Sequence, residues 1–77
     1  MKKLKLYSRT ECPLCEYAEE LLMDAGLEYE LVDIDDSDEL IKRYHVKIPV
    51  LALGVTELNW PFSAGDAQKL AKELTDG

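Results

Sequence analysis

Long apolar runs, internal repeats and an excess of positive charge are all missing from this sequence of 77 residues, and histidine occurs once. No apolar stretch approaches the roughly 18 residues that a membrane-crossing helix needs. The opening segment Met1-Lys2-Lys3-Leu4-Lys5-Leu6-Tyr7 alternates polar and apolar residues. It lacks the unbroken apolar core of a signal peptide and reads as a first strand, which makes a reducing, cytoplasmic setting the expectation. Sixteen acidic residues stand against nine basic ones, for a net charge of −7. That balance repels a phosphate backbone and an anionic bilayer, so neither nucleic acid nor membrane is an expected partner. Cysteine is scarce as well: there are two, and they lie within four residues of each other. A disulfide there would close a tiny loop and stabilise little, which excludes the scaffold of a secreted mini-protein. Such a pair in an intracellular chain points to catalysis or to metal binding.

What is present fits one small domain over residues 1–77, expected to act as a monomer. Leu4, Leu6 and Ser8 alternate with Lys3, Lys5 and Tyr7 over a strand from Lys3 to Ser8. Pro13 suits the first turn of a helix, and Ala18, Leu21, Leu22 and Ala25 continue a face begun by Leu14, with Gly26 placed to end it. A second strand is expected over Leu27–Ile34, with Leu27, Tyr29, Leu31 and Asp33 on one side. Ser37 then opens a short helix to about His45, with Leu40, Ile41 and Tyr44 as its buried stripe. The nearly all-apolar run Ile48–Leu53 reads as a strand covered on both faces. Gly54 turns the chain into an antiparallel partner over Val55–Trp60. Ser63 and Asp66 look like a variant capping box, and Ala67, Leu70, Ala71 and Leu74 form the buried side of a last helix. The order β-α-β-α-β-β-α implies an α/β fold with a four-stranded mixed sheet, three helices and a right-handed parallel crossover at its start.

Cys12-Pro13-Leu14-Cys15 falls at the start of the first helix. Two cysteines on one helical turn lie about 5–6 Å apart at Cα, within disulfide reach. Unbonded N–H groups and the positive end of the helix dipole stabilise a thiolate at Cys12, while Cys15 sits deeper. Cys12 would attack a disulfide and Cys15 would resolve the mixed disulfide. Glu11 and Glu16 flank the pair and work against the dipole. One alternative is half of a zinc site completed by His45 and a carboxylate, or by a second subunit. Others are a non-catalytic binding module and a redox sensor. The acidic string Asp33, Asp35, Asp36, Asp38 and Glu39 lacks the glycine of a calcium loop and has Tyr44 where the last ligand belongs, so it reads as a strand exit and helix cap. Trp60 and Phe62 either pack beneath the last helix or wall the substrate side.

Cys12-Pro13-Leu14-Cys15 after strand one, Ile48-Pro49-Val50 opening strand three, and the order of elements together resemble the glutaredoxin branch of the thioredoxin superfamily. With Leu58-Asn59-Trp60-Pro61-Phe62, the short chain looks closest to a small glutaredoxin-like family found in bacteria. The resemblance implies a thiol–disulfide oxidoreductase with a thioredoxin-like fold, no bound cofactor and no metal. It implies protein or small-molecule disulfides as partners, and glutathione as a reductant or substrate. Pro49 would be a cis-proline beside the dithiol, and the backbone of Ile48 would pair with an extended peptide or glutathione. Arg9 stands where the family places a base for a glutathione carboxylate. Pro13 and Leu14 would border the bound substrate, although the family has an aromatic in place of Leu14. Its Gly-Gly segment is absent here, which leaves Asp66 at the last helix as the residue for the γ-glutamyl end.

Overall fold

A computed structural model describes residues 3–73, and the elements follow one another in the expected order. Strand β1 (Lys5–Ser8) leads to helix α1 (Pro13–Asp24), and β2 (Glu30–Asp33) passes through a 3-10 turn (Ile34–Asp36) into α2 (Asp38–Tyr44). Strands β3 (Val50–Leu53) and β4 (Thr56–Asn59) form a hairpin, followed by α3 (Ala64–Ala71). Leu74, expected on the buried side of the last helix, lies outside the described residues, as do Met1 and Lys2. Among the described residues no helix is long and apolar enough to cross a membrane.

The four strands form one mixed sheet in the order β2-β1-β3-β4, with β1 and β2 parallel and the other neighbours antiparallel. Because side chains alternate along a strand, the register sorts them into two faces. Leu4, Leu6, Leu51 and Leu53 meet Ala18 and Leu22 of α1, Ala67 and Leu70 of α3, and Phe62. On the opposite face Val50 and Tyr7 meet Ile34, Leu40, Ile48 and Tyr44 around α2. All four residues of β3 are buried, as a strand covered on both faces requires. Trp60 and Phe62 meet edge to face with ring centroids 5.2 Å apart, Phe62 in the core beneath α3 and Trp60 packed against it.

Helix ends follow local rules. At the end of α1, Gly26 adopts φ 73°, where a Cβ is disfavoured, and the N–H groups of Gly26 and Leu27 bond to the carbonyls of Met23 and Leu22. This is the Schellman arrangement. The capping box at α3 forms in full, with Asp66 N–H donating to Ser63 Oγ at 3.0 Å and Ser63 N–H to Asp66 Oδ2 at 3.2 Å. The Ile48–Pro49 peptide is cis, as the resemblance implied, and so is Trp60–Pro61, which no sequence pattern announced.

Several expectations need correction. Leu14 does not begin the buried face of α1 but is 48% exposed; the face starts one residue later and runs Cys15, Ala18, Leu22. The spacing of three then four keeps those side chains over the sheet, and a residue 100° out of phase turns away. Strand β2 is half the expected length, and its Leu31 is 51% exposed because β2 is an edge that α1 does not fully cover. In α2 Tyr44 is buried, whereas Leu40 and Ile41 are only half-buried. Val55 belongs to the two-residue turn with Gly54, not to β4, and is fully exposed. Trp60 lies beyond the end of β4.

Leu6 is fully buried at the centre of the sheet. Leu6→Ala is expected to cost about 3 kcal/mol, a large share of the roughly 5–15 kcal/mol available to a domain, whereas Val55→Ser should stay within about 0.5 kcal/mol. Urea unfolding of the two variants measures the contrast.

Candidate functional site

Parallel pairing places the carboxyl ends of β1 and β2 side by side, with Ser8 opposite Asp33. In an open α/β sheet this is the end where ligands bind, because the chain leaves each strand there to start the next connection. The loop Arg9–Glu11 leaves β1 and reaches α1, so the cysteine pair sits over that end. A cleft of about 220 Å³ opens there, lined by Ser8, Arg9, Thr10, Cys12, Cys15 and Leu31, and by the carboxylates of Glu11, Glu16, Glu19 and Asp33.

Cys12 is the N-cap of α1 and Pro13 its first residue. Proline has no N–H to satisfy, so the dipole end presents the amides that follow it. The Cys15 N–H donates to Cys12 Sγ at 3.2 Å, the bond that a serine or aspartate cap would accept. The sulfur thus takes the place of a capping oxygen at the positive end of the helix. Both cysteines are free thiols, Cys12 partly exposed and Cys15 buried at 3% exposure. Burial, with a hydrogen bond to Cys12 and the charges of Cys12 and Glu19 adding to it, pushes the Cys15 thiol up to about 12, while the Arg9 backbone N–H pulls it down. The two sulfurs are thus chemically unequal. Glu11, immediately before Cys12, adopts φ 60°, a left-handed conformation uncommon for a residue with a side chain. It bends the loop so that the cysteine cap meets the helix.

The other candidate residues are distributed unevenly. Arg9 lines the cleft, but its guanidinium is held by Asp35: Nε lies 3.0 and 3.1 Å from the two carboxylate oxygens, and a terminal nitrogen 2.8 Å from Oδ1. Pro13 and Leu14 are exposed on the first turn of α1. Pro49 is fully buried, and the β1–β3 register continued by one residue sets it opposite Ser8 at the cleft end of the sheet. Ile48 packs with Tyr44 and Val50, and its N–H is already bonded to the Tyr44 carbonyl at 3.1 Å. Asp66 is engaged in the α3 capping box and borders a different surface depression, with Thr56, Leu58 and Lys69, so it does not join the dithiol. His45 caps the far end of α2 with Nδ1 3.1 Å from the Ile41 carbonyl oxygen. Among the described residues no group of three or more His, Cys, Asp or Glu is arranged to hold a metal ion.

Sequence reasoning overlooked Glu19, Leu31, Asp33 and Asp35 as parts of this site. Parallel pairing of the first two strands was the available signal, since it brings the exit of one beside the exit of the other. The acidic string does serve as strand exit and cap: Asp33 accepts the Asp35 N–H at 2.9 Å and the Thr10 hydroxyl at 3.4 Å.

Comparison with known proteins adds an independent line. The family model for the glutaredoxin-like domain (DUF836) matches residues 3–75. The solved structure of target protein XcR50 from X. campestris is 36% identical, with a TM-score of 0.80, covering 91% of this chain and 96% of its own. A glutaredoxin from Brucella melitensis is 26% identical with a TM-score of 0.63, covering 95% of this chain and 82% of its own. Glutaredoxin grx-1 from Archaeoglobus fulgidus, at 20% identity and TM-score 0.68, covers 94% of this chain and 88% of its own, and shares the fold. Among curated proteins no sequence matches.

The unequal thiols set two expectations. At pH 8, Cys15 in Cys12→Ser should react with iodoacetamide roughly a hundredfold or more slowly than Cys12 in Cys15→Ser, because only thiolate reacts. Removing Cys12 takes away two contributions that raise Cys15, but burial, the largest, stays. Tyr44, buried and donating its hydroxyl to Glu57, is also pushed up to about 12. Folding raises both groups, so the unfolded chain loses their protons first and stability falls as pH rises. The reduced protein should therefore lose stability between about pH 9 and about pH 12, as urea midpoints at stepped pH will report. Tyr44→Phe should flatten part of that decline.

Proposed function

The chain belongs to the family of glutaredoxin-like domains, and on that premise we propose that it is a thiol–disulfide oxidoreductase with Cys12 as nucleophile and Cys15 as resolving thiol. The observation that carries the reading is the bond from the Cys15 N–H to Cys12 Sγ at 3.2 Å, with the Cys15 sulfur buried behind it. One cysteine lines the cleft and accepts the amide; the other is buried within the same helical turn and pushed towards the thiol form.

The chemistry proceeds in two exchanges. Cys12 thiolate attacks one sulfur of a substrate disulfide, a mixed disulfide forms, and the other substrate sulfur leaves as a thiolate that takes up a proton. Cys15 then gives up its proton and attacks Cys12 Sγ. The second substrate thiolate departs and the Cys12–Cys15 disulfide remains. Two electrons have passed from protein to substrate, and an external dithiol or two molecules of a monothiol such as glutathione return them. The reaction requires no bound cofactor, and a reducing cytoplasm is the setting in which the dithiol would be regenerated.

In this reading Pro13 and Leu14, exposed on the first turn of α1, would border the bound substrate, and Pro49, opposite Ser8, would lie at the same end of the sheet. An extended substrate pairing with Ile48 would have only the carbonyl to use, because the N–H is bonded to Tyr44. Arg9 would have to meet a carboxylate with the N–H groups that Asp35 leaves over, since its Nε and one terminal nitrogen are bonded to Asp35.

Cys12→Ser should abolish turnover of a disulfide substrate, while Cys15→Ser should accumulate a mixed disulfide at Cys12, visible as an adduct in intact-protein mass spectrometry. If both variants turn over disulfides like the parent protein, the assignment is wrong.

A further inference from the structure

The charge of the cleft runs opposite to what an anionic thiol requires. Glu11, Glu16, Glu19 and Asp33 line it, and Arg9, the one cationic side chain among its lining residues, is held by both oxygens of Asp35. Among the described residues that line the cleft, no cationic side chain is without a carboxylate partner. Two of the carboxylates are fixed by internal bonds, since Glu19 accepts the Tyr29 hydroxyl at 3.0 Å and Asp33 accepts the Asp35 N–H. The negative field is therefore part of the architecture. It is also matched to an apolar side chain: Leu31 lines the cleft and is half-exposed.

Building on the redox reading above, we propose that this cleft takes disulfides flanked by cationic groups, carried on lysine- or arginine-rich polypeptide segments, and disfavours anionic thiols such as glutathione. Like charges brought together across an interface oppose binding, and opposite charges accelerate encounter. Glutathione carries more carboxylates than ammonium groups, so it meets four like charges, and the described cation beside them, Arg9, is already paired with Asp35. A basic segment meets complementary charge, and an apolar side chain on it finds Leu31. The exchange steps are those already given; only the choice of substrate is new. The second half of the cycle would use a protein dithiol in place of glutathione to return the electrons.

Three disulfides of similar size test this: cystamine, hydroxyethyl disulfide and dithiodipropionate, with cationic, neutral and anionic flanks. Each is mixed with the reduced protein, and formation of the Cys12–Cys15 disulfide is followed by acid quenching and intact mass. Each rate is divided by that of the same disulfide with dithiothreitol, which removes intrinsic reactivity. At low salt, cystamine should exceed dithiodipropionate by about tenfold or more after this correction. The ratio should fall towards one near 1 M salt, where the Debye length shrinks to about 3 Å. The Glu11→Gln, Glu16→Gln double variant should narrow it. A cystine peptide flanked by lysine and leucine should outrun cystamine, and a peptide that does not would overturn the polypeptide as the source. Equal corrected rates for all three small disulfides at low salt would overturn the charge selection and leave the oxidoreductase standing. Failure of every disulfide, hydroxyethyl disulfide included, to oxidise the pair while Cys12 still alkylates would overturn the redox reading itself.

Discussion

The hydrogen bond from the Cys15 amide to the Cys12 sulfur depends on where α1 sits, and most of the structure serves to hold α1 there. The helix is docked by one stripe, Cys15, Ala18 and Leu22, against the leucines of β1 and β3. Its far end is closed by the Gly26 turn, which sends the chain back as β2, and β2 pairs parallel to β1. These constraints fix both the axial position and the rotation of the helix. Cys15 belongs to the docked stripe itself, so its depth is set by core packing. Cys12 precedes the helix and takes the cap position in which serine or aspartate is otherwise common. The same packing that stabilises the domain thereby makes one sulfur a partly exposed acceptor of the Cys15 amide and buries the other.

Charge around the pair follows from strand pairing. Because β1 and β2 run parallel, their exits lie together, and whatever residues follow each strand face one another. Here those residues are Arg9 and Thr10 from one and Asp33 and Asp35 from the other. The guanidinium–carboxylate pair straps the dithiol loop to the edge strand. It also consumes the cation that would otherwise face an incoming carboxylate, so the fastening of the loop and the sign of the cleft have one origin.

The order of elements, the two-faced burial of β3, the Gly26 end of α1 and both serine caps were legible because each rests on local chemistry or simple periodicity. The cysteine pair was legible for the same reason: a proline one residue after Cys12 marks a helix start unambiguously. What escaped depends on distances through space. Leu14 and Cys15 both fit an apolar stripe, and only the sheet beneath decides which of the two is covered. Leu31 alternates as a core residue should, yet its strand lies at the edge of the sheet. Arg9 and Asp66 each have a local meaning and a remote one. Asp66 took the local one, in its cap, while Arg9 was captured by a carboxylate 26 residues away that no short-range pattern connects to it.

The high proton affinity of Cys15 looks at first like an obstacle to its proposed role, since a resolving thiol must ionise before it attacks. Its causes answer the difficulty. After burial, the influences that hold the proton on Cys15 are its hydrogen bond to Cys12, the charge of Cys12 and, least, the charge of Glu19. The two that come from Cys12 belong to the state in which Cys12 carries no substrate. Once Cys12 is bonded to a substrate sulfur, its negative charge is gone and the sulfur is a poor acceptor, so those two influences lapse. The Arg9 N–H, which favours the Cys15 thiolate, belongs to the backbone of the strapped loop and does not depend on the state of Cys12. In the proposed cycle Cys15 is therefore held protonated until substrate arrives and becomes easier to ionise at the step that needs it. In the proposed mechanism the order of the two exchanges is written into the contact between the two sulfurs.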